Sequence, residues 1–221
     1  MAGVSEERKK ILRERGYVND FSTDRYCEIL FTVPVPIDKI TSVETTTPDN
    51  DAHIGNLSNS IDFGAHIGTL SLSPEFGEVV KIKDDSYVGG YDPKYWNDGN
   101  YVDIKHKNGI VSHLEHFMYK SVMVSEGQFV HPGQPIALIG ATGYVSFVDG
   151  VPDYHVHYEV QEFYGPGEED YITLKPRFIG GYVGHKFVRG FPDIFAGESF
   201  EEFKKTHKLL QDKKKLIVYK K

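Results

Sequence analysis

Cysteine is almost missing from this sequence. Cys27 is the only one, so no disulfide can close within the chain and no zinc site can be built on thiolates. Any metal must be held by histidine and carboxylates. Long apolar runs are missing as well. No stretch approaches 18 apolar residues, so no membrane span is expected. Positive charge is in deficit: 25 Lys and Arg stand against 32 Asp and Glu, a net charge of −7. That argues against non-specific binding to nucleic acid, which needs a basic surface. It also gives no support for adhesion to an anionic wall or membrane. The start of the chain, Ser5-Glu6-Glu7-Arg8-Lys9-Lys10, lacks an apolar core and does not read as a signal peptide. The expectation is a cytoplasmic protein, or a secreted one whose leader has been removed.

What the 221 residues do contain points to β-structure. Tyr and Phe number 14 each, with 22 Gly and 11 Pro, a mixture that suits strands and turns better than helices. Hydrophobic residues make up 39%, enough for a sizeable core. The length fits one ordinary domain with extensions. Residues 5–16 read as a short charged helix. Glu28–Pro36 reads as a strand ended by prolines, and 41–52 as an exposed connection. From about 60 to 162 the chain is a series of short strands, among them Val79–Lys83, Tyr101–His106, Ile110–Phe117, Pro135–Gly140 and Tyr154–Glu162. Lys107-Asn108-Gly109 supplies a tight hairpin turn, because Asn-Gly tolerates positive φ. Asp84–Gly99 is a long polar loop, of a length that is often functional. Gly165-Pro166-Gly167 marks a boundary, and 171–188 adds strands. Ser199 and Glu202 form a capping box ahead of a helix over about 200–213, and Leu216–Tyr219 reads as a final strand. The expected fold is mainly β, an antiparallel sandwich with short peripheral helices. Residues 1–45 form an N-terminal extension, 46–165 the main domain, and 166–221 a C-terminal extension with one helix.

Chemistry concentrates in the histidines. In Tyr154-His155-Val156-His157-Tyr158-Glu159, strand geometry sends His155, His157 and Glu159 to one face and Val156 and Tyr158 into a core. Two imidazoles so placed can share a metal, or one can bind while the other moves protons. By spacing alone, two surface histidines on an edge strand is an equal reading. Glu159 reads either as a partner orienting a metal-bound imidazole or as a solvated strand-end carboxylate, with the latter favoured. In His113-Leu114-Glu115-His116, alternation puts His116 with Leu114 and Ser112 and sends His113 the opposite way, so at most one of the two joins a given site. His106 reads as a structural strand-end residue and His131 as a turn residue. Asp62, between Ile61 and Phe63, reads as a carboxylate fixed by a short strand, downstream of His53.

The segment from about His53 to Glu162 resembles the lysostaphin/LytM-type zinc metallopeptidase family, the M23 peptidases with a duplicated hybrid motif fold. The resemblance rests on His53-Ile54-Gly55 with Ser60-Ile61-Asp62-Phe63, on Gly68-Thr69, and on Gly77-Glu78-Val79-Val80. It continues through the Lys83–Ser86 loop with Gly89-Gly90, then Asn100–His106 with Asn108-Gly109, and Leu114-Glu115-His116. Val124–Gln128, Gly133–Ile136, Gly140–Gly143 and His155-Val156-His157 complete it. Their order and spacing cover about half the chain.

The resemblance implies a hydrolase with one Zn2+ per chain. It makes Asp62 and His157 zinc ligands and His116 and His155 catalytic imidazoles. The family's commonest pattern places the first ligand four residues before the Asp, where Ser58 stands here. A branch of the family puts that histidine farther upstream, and His53, nine residues before Asp62, fits it. His66, four residues after Asp62, is the weaker substitute. Two His, one Asp and an open position make a hydrolytic set. One further imidazole can take a proton from water while another stabilises the oxyanion.

The implied substrates are peptidoglycan or short Gly-rich peptides, with Tyr91, Trp96 and Tyr144, together with Tyr95, lining a groove between the 84–99 and 143–153 loops. Ser58 supports a second reading, a degenerate, non-catalytic LytM-like domain that binds a partner. A third is a phosphoryl carrier using His116 and His155 without Asp62, since Val124–Ile136 also resembles the hammerhead turns of carrier domains. Controlling access to the groove, or assembly into a homo-oligomer, are the roles open to the extensions.

Overall fold

Among the described residues, β-branched and aromatic side chains alternating with polar ones fold into sixteen short strands. The computed structural model describes residues 26–45, 53, 57, 59–163 and 171–178. The helix expected over 5–16, the boundary at 165–167, the capping box at Ser199 with its helix, and the strand at 216–219 lie outside the described residues, as does Ser58.

The strands are β1 (Tyr26–Phe31), β2 (Ile40–Thr45), β3 (Ile61–Ala65), β4 (Leu70–Leu72), β5 (Gly77–Lys83), β6 (Gly89–Gly90), β7 (Tyr101–Lys105) and β8 (Val111–Glu115). Then come β9 (Phe129–Val130), β10 (Pro135–Leu138), β11 (Gly143–Tyr144), β12 (Phe147–Val148), β13 (Val151–Pro152), β14 (His155–Phe163), β15 (Tyr171–Thr173) and β16 (Lys175–Phe178). The helices among the described residues are single 3-10 turns, such as Ile37–Lys39 and Pro93–Tyr95. None is long and apolar enough to cross a membrane.

One eight-stranded antiparallel sheet runs in the order β2-β3-β14-β8-β7-β5-β9, with β15 added beside β14. A smaller antiparallel ladder, β10-β4, packs over it. Ile136, Ala137 and Ile139 share one apolar core with Val79, Val102, Leu114, Val156 and Tyr158 of the large sheet. This is the expected sandwich. The parallel pair β1-β16 closes one side, with Cys27, Ile29, Phe31 and Phe178 in the same core. Residues 26–45 and 171–178 therefore pack with the strands of the 46–165 segment.

The β7–β8 hairpin turns as its sequence requires, with Asn108 at φ 61° and Gly109 at φ 75°. The connection expected over 41–52 is corrected in its first part: residues up to Thr45 are strand β2, paired with β3 along the sheet edge. Its Thr, Ser and Glu side chains disguise it, but Ile40 and Val43 are buried on the inner face. The Asp84–Gly99 loop is pinned rather than free. Gly89 and Gly90 pair with Gly143 and Tyr144, and Asp92 caps the following turn by accepting from the Lys94 amide.

Candidate active site

Strand β14 lies inside the large sheet between β3 and β8, and its two faces carry different chemistry. Val156, Tyr158 and Val160 are fully buried in the core. His155, His157, Glu159 and Gln161 are buried on the other face. Cross-strand pairing sets His157 opposite Asp62 on β3 and opposite Glu115 on β8. Paired residues share a face, so one rung of the sheet brings these three side chains together.

Asp62 is the hub. Its Oδ1 lies 2.9 Å from His157 Nδ1 and 3.7 Å from His155 Nε2. Its Oδ2 lies 2.9 Å from His53 Nε2. That last contact is not aligned as a hydrogen bond. Both ring nitrogens of His53, a residue 1% exposed, have no hydrogen-bond partner among the described residues. Buried polar atoms are rarely left so. Donor atoms of His53, Asp62 and His157 all lie within 4.8 Å of one another, in a group that could hold a metal ion. Burial works against the Asp62 carboxylate, but the histidines around it outweigh burial and hold it well below the usual carboxylate range. Burial likewise disfavours the His157 imidazolium, yet Asp62 and Glu159 push it up to about 10. The pocket is built to hold positive charge between these three residues. Two buried imidazoles, one carboxylate and orphaned ring nitrogens fit a zinc-type donor set.

His116 and His155 complete the cluster, their ring centroids 4.7 Å apart, with His116 5.8 Å from His157. Each is fixed by a main-chain carbonyl. His116 Nδ1 donates to Thr142 O at 2.8 Å, and His155 Nδ1 donates to Asp153 O at 2.7 Å. A carbonyl only accepts, so in the neutral rings Nε2 carries the lone pair. Burial pushes His116 down to about 4, against the attraction of Glu115, so it is neutral near pH 7.

The expected direction of His116 is corrected. Strict alternation places it with Leu114 in the core, but β8 ends at Glu115 and His116 adopts φ 72°. That left-handed residue turns the ring onto the face of His155. Such a conformation costs about 1–3 kcal/mol and persists where its surroundings impose it. Here Thr142 O holds the ring and Gly140 N holds the His116 carbonyl. Thr142 is fixed in turn by its hydroxyl, which donates to Phe117 O and accepts from Asn100 N. Buried Asn100 also ties Ser86 to this corner. Gly143 (φ 86°) must be glycine, because a Cβ there would meet Gly99 Cα at 2.8 Å.

His113 shares the site face with His116, contrary to the expectation that the two diverge. It does not join the Asp62 group. Its Nδ1 bonds Asp103 at 2.6 Å and its Nε2 lies 3.4 Å from Glu115. Glu159 is no solvated carboxylate: it is 2% exposed, accepts from His157 Nε2 at 2.9 Å and from Gln161 Nε2 at 2.8 Å. His157 outweighs burial and holds Glu159 below its ordinary range. The signal that identifies it in the sequence is its two-residue step from His157. His66 is exposed in a turn, outside the group around Asp62. His106 bonds Phe76 O and Ser112 Oγ on the core side, and His131 closes a turn with Gln134, both as expected. Tyr91 stacks on Tyr144 with centroids 5.2 Å apart, and Trp96 lies 5.7 Å from Tyr144. Tyr144 follows Gly143 and Thr142, so this aromatic group adjoins the loop that holds His116.

The family model of peptidase family M23 matches residues 56–170, more than half of the chain. The chain belongs to peptidase family M23. Its fold is the LytM-like antiparallel sandwich of that family. The chain is similar to an M23 peptidase structure from Pseudomonas aeruginosa, 24% identical, covering 70% of this chain and 54% of that one, with TM-score 0.42. It is similar to a zinc-containing peptidase from Vibrio cholerae, 26% identical over 64% of this chain and 36% of that one, TM-score 0.35. The lysostaphin catalytic domain from Staphylococcus simulans is 18% identical over 61% of this chain and 86% of that domain, TM-score 0.40. The M23 chain described here thus spans about half or less of the length of the first two of these structures. No curated protein matches it.

Proposed function

We propose that this chain is a zinc-dependent metalloendopeptidase in which His53, Asp62 and His157 hold the metal and His116 and His155 act on the substrate. The observation that carries the reading is the buried convergence of the His53, Asp62 and His157 donor atoms, with neither nitrogen of His53 hydrogen-bonded among the described residues. When bound, zinc supplies Lewis-acid polarisation of the scissile carbonyl and makes water acidic enough to ionise near pH 7.

The chain's own residues supply the rest. His116, neutral and with its lone pair on Nε2, accepts the proton of the attacking water and returns it to the leaving amine. The carbonyl of Thr142 keeps that tautomer through the cycle. His155 stabilises the developing oxyanion, for which it must carry a proton on Nε2 as well as on Nδ1. Tyr91, Trp96 and Tyr144 form the wall against which an extended peptide lies. The substrate class is peptidoglycan-type or short Gly-rich peptides.

Zinc content of the purified protein, together with hydrolysis of pentaglycine and of purified peptidoglycan, tests the reading. One zinc per chain and cleavage of either substrate are expected. Absence of zinc would defeat the metal site and favour the degenerate binding domain that Ser58 argues for, and zinc uptake without cleavage of either substrate would defeat the peptidase reading while leaving the metal site. Phosphohistidine after incubation with a phosphodonor would point instead to the carrier reading.

A further inference from the structure

Strand β14 continues beyond the ligand His157 with two more buried polar side chains on the same face, Glu159 and Gln161. We infer that Glu159 is a positioning residue that fixes the His157 tautomer for metal binding, and that Gln161 locks Glu159 in place; this rests on the metal site proposed above.

The geometry leaves Glu159 few alternatives. An ionised carboxylate only accepts hydrogen bonds. Its Oε1 lies 2.9 Å from His157 Nε2, so that nitrogen carries the hydrogen. The neutral ring then has its lone pair on Nδ1, the atom that faces Asp62 at 2.9 Å, within the residue group that could hold a metal ion. The opposite tautomer would aim an N–H at the metal and leave a buried carboxylate facing a lone pair. The second oxygen of Glu159 is held by Gln161 Nε2 at 2.8 Å. Both oxygens are therefore engaged, and the carboxylate cannot rotate away from His157 without losing a buried bond. Across the sheet, Glu159 is paired with His113, whose ring is fixed by Asp103. Ligand, orienting carboxylate and the amide that anchors it thus come from alternate positions of one rigid strand. Metal-bound imidazoles gain basicity and orientation from such partners. Neither Glu159 nor Gln161 is placed to touch substrate.

Zinc affinity by competition with a chromophoric chelator, and the 15N shifts of His157 in the zinc-loaded protein, test this without reference to turnover. Wild-type protein is expected to show Nε2 protonated and Nδ1 shifted by the metal. Glu159→Gln removes the charge and can present an amide N–H to His157. It should weaken zinc binding by about 10- to 100-fold and move the His157 shifts toward the other tautomer. Gln161→Ala should give a smaller loss in the same direction. Asp103→Asn, which removes a comparable carboxylate from a histidine that is not a ligand, should leave zinc affinity unchanged. An unprotonated Nε2 in the wild type would overturn the inference with no variant needed, which covers the case of a Glu159 variant that does not fold. Equal zinc affinity in folded Glu159→Gln and wild type would overturn it too. A wild-type chain that takes up no zinc would remove the metal site and this inference together, whereas the preceding two results leave the site standing.

Discussion

The large sheet buries histidines on both of its faces, and the two sets are wired differently. On the core face, His106 bonds a main-chain carbonyl and Ser112, and Ser112 passes the chain to Tyr158. Every partner there is neutral. On the other face, His157 lies between Asp62 and Glu159, and His113 between Asp103 and Glu115. The partners of these two are carboxylates, whereas His116 and His155 on the same face are held by main-chain carbonyls. Burial alone therefore does not mark a functional histidine. An imidazole with neutral partners settles as an uncharged core group, whereas one among acids is held where positive charge is wanted. His53, buried with its Nε2 2.9 Å from Asp62 Oδ2, belongs to the second set for the same reason.

The largest expected effects fall on the acid-wired face. Asp62→Ala, His157→Ala and His53→Ala should each abolish stoichiometric zinc uptake, measured by atomic emission on the purified chains. Retention of tight zinc by any of them would remove that residue from the ligand set. His116→Ala should keep its zinc yet lose about 10²–10⁴-fold in kcat, because the ring is tied to Thr142 rather than to Asp62. Full peptidase activity in that variant would refute its role as the base.

Much of this division is legible in the amino-acid order. Alternation along Tyr154–Glu162 separates core from site, and the short strand around Asp62 follows from its apolar neighbours. The spaced glycine and Asn100 blocks announce the fold, because they fix the corner around His116 through Asn100, Thr142 and Gly143. What alternation cannot reveal is where it stops. His116 turns onto the site face through one positive φ just past the end of β8, a conformation that nothing in His113–His116 demands and that tertiary hydrogen bonds impose. Strand β2 hides for another reason: an edge strand needs few apolar residues, and Ile40 and Val43 alone anchor it. Glu159 shows the limit on the electrostatic side. Its strand face is readable, but its loss of solvent depends on β8 and β3 flanking β14.

A smaller effect should come from the core face. His106→Ala strands the Phe76 carbonyl and takes one of two partners from the Ser112 hydroxyl, which keeps Tyr158; an unsatisfied buried group costs about 1–3 kcal/mol. Urea denaturation should report that loss while zinc stoichiometry stays at the wild-type value. Loss of zinc in a folded His106 variant would break the contrast between the two faces.

The smallest effect, and the one that separates the faces most directly, is the pH dependence of stability. Burial lowers the His106 pKa below its ordinary value near 6.5, against the pull of the Phe76 carbonyl. The unfolded chain then takes up a proton first as pH falls, so this residue removes stability progressively below pH ~6.5. His113 has the opposite sign. Burial opposes its charge, but Asp103 and Glu115 outweigh burial and raise it well above the ordinary value. Its contribution is complete below pH ~6.5 and is lost as pH rises through the folded-state value. Relative to wild type, His106→Gln should therefore flatten the decline in unfolding free energy on the acid side. His113→Gln should instead lose most stability on that side and progressively less toward alkaline pH. Urea titrations of both variants across pH 5.5–8.5 (about one unit below to about two above the ordinary histidine value) would read the two slopes. Slopes of the same sign would mean that the acids around His113 do not hold its charge, and that the two faces of the sheet differ in composition but not in electrostatics.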